Sequence, residues 1–83
     1  MMIVTMVLEF NYGEKPTDAF GSIWLFNGDG TADTDSDTPL REIKGWVKMA
    51  GPMDLNEAAE IHAALKRFFE ANSVRVVDIG MAD

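Results

Sequence analysis

Carboxylates at Asp29, Asp33, Asp35 and Asp37 follow the amide of Asn27 along the run NGDGTADTDSD, with small residues between them and no basic residue among them. Oxygen donors on a flexible loop are what a hard cation such as calcium takes. A line of carboxylates can also imitate a phosphate backbone and enter a basic groove on a nucleic-acid-binding protein. Small acidic inhibitors from phages and mobile elements share that size and charge. The plainer reading is a solvated hairpin loop, with Asn27-Gly28 and Asp29-Gly30 supplying its turns.

The run resembles one copy of the Asp-rich calcium repeat of thrombospondin-type domains and related bacterial linkers, which use tandem copies. The resemblance implies calcium on Asp33, Asp35 and Asp37, with Asp29 and Asn27 beside them. It does not extend to an EF-hand. Counted from Asp33, Thr38 falls where that loop needs glycine, Pro39 follows, and Lys44 falls where it needs glutamate. The expectation is no resident metal and no cofactor.

Lys44, Trp46 and Lys48 are the second constellation. Basic and aromatic side chains alternating on a strand suit single-stranded nucleic acid, with charge for phosphate and a ring for stacking. Glu42 on the same face and a net charge of −7 oppose that use. Lysine stems covering an indole, or Trp46 as an anchor for a protein partner, fit better. Trp24 and Tyr12 are further candidate anchors.

His62 is the only histidine, and there is no cysteine. A lone histidine cannot assemble a metal site without help. An enzymatic alternative needs His62 to meet carboxylates, or one of Ser22, Ser36 and Ser73, in a concave pocket. No nucleophile-elbow sequence surrounds those serines. Gly28 and Gly30 give G-x-G without a third glycine or a following helix, so a dinucleotide site is rejected.

The elements that must position these groups are few. Asp54–Asn72, DLNEAAEIHAALKRFFEAN, carries the one strong helical period. Leu55, Ala58, Ile61, His62, Leu65, Phe68 and Phe69 form its stripe. Asp54 is the expected N-cap, Glu57 completes a capping-box-like pattern, and Asn72 is the expected left-handed stop. Burying the five large side chains of that stripe is worth on the order of 10 kcal/mol before entropy is subtracted.

Strands are expected at 2–12, 19–26, 40–49 and 74–79, with Gly21 as a bulge or a close-approach point. A turn over 50–53 leads into the helix. The expected fold is an α+β two-layer sandwich, a mainly antiparallel four-stranded sheet with one helix in the order β-β-β-α-β. The first three strands meander, and the fourth joins after a helical crossover, with a right-handed connection if it lies parallel to the third.

At 83 residues the chain reads as one small domain, 1–83. The absence of cysteine favours a cytoplasmic setting. Met2–Leu8 has no basic leader region and no cleavage site, and no run is long enough to span a bilayer. Direct binding to nucleic acid or membrane is not expected.

One shortfall points to function. A helix is about 10 Å across, while four strands span roughly 15 to 20 Å. Apolar residues occur on both strand faces: Ile3 and Val7 against Val4, Met6 and Leu8; Ile23 and Leu25 against Phe20, Trp24 and Phe26. One helix cannot roof all of this. The sequence therefore suggests a non-enzymatic protein–protein interaction module, a homodimer or a subunit of a complex, that uses uncovered sheet surface.

Overall fold

The computed structural model describes residues 1–15, 18–30 and 38–82. Its elements are β1 (Ile3–Asn11), β2 (Phe20–Asn27), a 3-10 turn (Leu40–Glu42), β3 (Trp46–Met53), α1 (Leu55–Ala71) and β4 (Arg75–Ala82). This is the α+β two-layer arrangement expected, with a mostly antiparallel sheet in the spatial order β3-β2-β1-β4.

The helix begins where its cap predicts. Asp54 Oδ1 accepts from the backbone N–H of Asn56 at 2.9 Å and of Glu57 at 3.3 Å, quenching two orphan donors of the first turn. The end differs by one residue from expectation. Asn72 keeps a negative φ and donates its side-chain N–H to Phe68 O at 2.8 Å, while Ser73 takes the left-handed conformation at φ +62°.

Two strand assignments change. The third strand starts at Trp46, because Leu40–Glu42 winds into a 3-10 turn and a further turn ending at Gly45, with φ +94°, leads into the strand. It then runs on through Gly51 and Pro52, where a turn was expected. Proline is tolerated there because β3 is an outer strand of the sheet. The fourth strand is parallel, as the crossover allowed, but its neighbour is β1 rather than β3. The helix has to cross the middle of the sheet to bury its stripe, and that carries the chain to the far edge.

β1 is therefore a central strand, and both its faces are covered. On one face Met6, Leu8 and Ile23 meet Ala58 of the helix, with Phe10, Leu25, Ala50, Met53, Ile61, Leu65, Phe69 and Val76 around them. Close contact depends on Gly21. A Cβ at that position would stand 2.7 Å from Ala58 Cβ, so only glycine lets the helix settle there.

The other face is not left bare. Val7, Trp24 and Trp46 close around Leu40, which is fully buried, and Phe26, Ile43 and Ile79 pack against them. Leu40 and Ile43, in the described part of the connection between β2 and β3, thus supply the second cover. Thr5 fastens the start of that connection. This fully buried hydroxyl donates to Gly28 O at 2.7 Å and accepts from the Gly30 N–H at 2.8 Å.

Replacing Thr5 by Val should cost about 1–3 kcal/mol, since it strands a buried N–H and takes the donor from a part-buried carbonyl. Thr5→Ser should cost about 1 kcal/mol, the worth of a methyl group. Urea unfolding of the three proteins checks the ordering.

Candidate functional site

The residues singled out from the sequence land in different places. Trp24 and Trp46 are each only 8% exposed, so they line the second cluster and present little more than an edge to solvent. Trp46 tilts against Phe26 with ring centroids 5.3 Å apart. Its indole Nε1 is buried without a hydrogen-bond partner among the described residues. Trp24 Nε1 instead donates to Glu9 Oε1 at 3.3 Å, and Asn11 Nδ2 donates to the same oxygen at 3.3 Å. Lys48 Nζ lies 5.8 Å from the centre of the Trp24 ring, so a cation lies over that indole. Lys44 belongs to the turn before β3 and is exposed, and Tyr12 is exposed just past the end of β1. The buried Glu9 has no distinctive sequence neighbour; only its alternation with Val7 places it on this face.

His62 does meet a carboxylate. Its Nε2 lies 3.0 Å from Asp78 Oδ1 on β4, and Lys66 Nζ lies 3.5 Å from Asp78 Oδ2. The three groups bridge helix and strand on the β4 side of the molecule. A shallow depression of about 370 Å³ lies at the start of β4, lined by Met1, Glu70, Ser73, Val74 and Arg75. It does not include His62.

Of the acidic run, Asn27 ends β2 and Asp29 is exposed beyond it. Asp33, Asp35 and Asp37 lie outside the described residues, and so do the calcium and phosphate-mimic readings that need them. Among the described residues no group of three metal-ligating side chains comes together, and no helix is long and apolar enough to cross a membrane.

The most distinctive exposed surface is apolar and lies beside the helix. His62 and Lys66 turn one flank of α1 toward β4. Ile61 and Phe68, seven residues apart, occupy the opposite flank, on the side of β2 and β3. Phe68 is 61% exposed. Across from it, Val47 pairs with Leu25 and so stands on the helix side of the sheet. Met49 follows at the register shift where Lys48 pairs with Trp24 and Ala50 with Ile23. Val47 is 58% exposed and Met49 51%. The helix stripe shares in this: of its residues only Ala58 is fully buried, so the transfer gain expected from the sequence is only partly realised in one copy of the chain.

No protein-family model, curated protein sequence or solved structure matches this chain.

Changing Trp24 to Phe should cost about 1–3 kcal/mol more than changing Trp46 to Phe. Both leave a similar void, but the first takes a donor from the buried Glu9 carboxylate and the second removes an N–H that has no partner among the described residues. Thermal melts of the two variants measure the difference.

Proposed function

We propose that this chain is a non-enzymatic protein–protein interaction module. Its docking surface is the apolar strip of Val47, Met49 and Phe68, backed by Leu25, Ile61 and Leu65. The carrying observation is that Val47 and Met49 of β3 and Phe68 of α1 are large apolar side chains, each more than half exposed. Scattered apolar residues on a surface are ordinary, whereas a contiguous strip favours a second molecule. A partner side chain docking there finishes the packing that α1 leaves open over β3. The net charge of −7 steers the encounter toward proteins with basic surroundings.

The two tryptophans support this role from behind. They stiffen the far face of the same strands, so the strip is presented on a rigid sheet.

The test uses the immobilised chain in extracts of the source cells. Wild type should retain a partner at a fixed stoichiometry, and Val47→Asp with Met49→Asp should weaken retention by at least about tenfold. The melting temperature should move little, because both side chains already face water. Equal retention by the double variant would remove the strip from consideration.

A further inference from the structure

The two outer edges of the sheet are built differently. β3 carries the devices that keep an edge from pairing: a break in register beside Met49, Pro52 without an N–H, and the charge of Lys48. β4 runs RVVDIGMA with no proline and no lysine, and its register with β1 is unbroken from Arg75 to Ala82.

Backbone geometry shows where its free groups lie. Arg75 is paired with Ile3, and its N–H donates to Met2 O at 2.9 Å. In a parallel ladder, alternate residues turn both backbone groups to the neighbour. Arg75, Val77, Ile79 and Met81 therefore bond to β1. Val76, Asp78, Gly80 and Ala82 direct their N–H and C=O outward, where β4 is the last strand among the described residues. The only acidic guard on this edge, Asp78, is held back by His62 and Lys66 over the helix side.

We propose that a second copy of this chain completes the edge, β4 against β4, antiparallel about a two-fold axis normal to the sheet. Such an axis sets same-face residues opposite one another. Centred on Asp78, it opposes two carboxylates. Centred on Val77, it leaves the outward groups of Gly80 and Ala82 without strand partners. Centred on Ile79, it pairs Val76 with the partner's Ala82 and Asp78 with the partner's Gly80, and every outward group finds a mate. Gly80 is suited to that position, since a Cβ there would meet nothing within 4 Å and the space above it is open. Ile79 then meets the partner's Ile79 across the axis. The edge is self-complementary in this register, which is why the occupant is a second copy rather than an unrelated strand. This is a specific form of the interaction-module reading, at a surface separate from the Val47 strip.

Sedimentation equilibrium across concentration tests it. The mass should rise from 9.2 kDa toward twice that value, and more readily at higher salt, because two chains of charge −7 repel. Gly80→Asp sets a second carboxylate opposite the partner's Asp78 and should raise the dissociation constant about tenfold, since symmetry applies the pair twice. Gly80→Lys should lower it. Both side chains point into open space, so the monomer should melt as wild type does. A wild type that stays monomeric at millimolar concentration overturns the proposal. So does a dimer that neither variant alters, and loss in both variants overturns the Ile79-centred register. Val47→Asp with Met49→Asp should leave the mass unchanged, so failure at β4 and failure of the docking strip are told apart.

Discussion

A central strand buried on both faces needs two covers, and this chain has one helix. That is the constraint from which the rest of the structure follows. Met6 and Leu8 of β1 face α1, while Val7 and Thr5 face the other way. The second cover is a connection rather than a regular element. Its described residues are held to the sheet by side-chain tethers. Thr5 supplies one with both functions of a single hydroxyl, and Leu40 supplies another by filling the space between two indoles. A buried hydroxyl with both partners in place is worth having because an unmet backbone group there is costly.

The single helix also explains the asymmetry of the surface. It is tied toward β4 by His62, Lys66 and Asp78, and its Ala58 is seated on Gly21 of β2. Everything gained on that side is lost on the other, so the helix-side face of β3 is open. The sheet's own edges show the complementary pattern. β3 has a broken register and a proline at its edge, and β4 has an unbroken register and no proline. An open face suits side-chain docking, and an open edge suits backbone pairing.

The aromatic residues show how burial redirects function. As sequence, Trp24 and Trp46 look like anchors for a partner. In the fold they spend nearly all their surface on each other's neighbourhood, with Leu40 between them. The large apolar groups that reach solvent include less conspicuous ones: Val47 and Met49 on β3 and Phe68 of the helix. The imbalance between apolar ribbon and helix was legible from residue spacing alone. The side on which the excess would emerge was not, because nothing in the spacing of Leu40 and Ile43 shows that they will pack on the second sheet face.

Local interactions are what the sequence by itself determined. The period of α1, the Asp54 cap, the alternation of β1 and β2 and the α+β class all depend on residues near one another in the chain. Tertiary structure alone decided that β4 would lie beside β1, that Leu40 would leave the strand to plug the second face, and that Glu9 would sit under Trp24. Each of those depends on which distant segments compete for one patch of sheet, and that competition is settled by packing the whole chain at once.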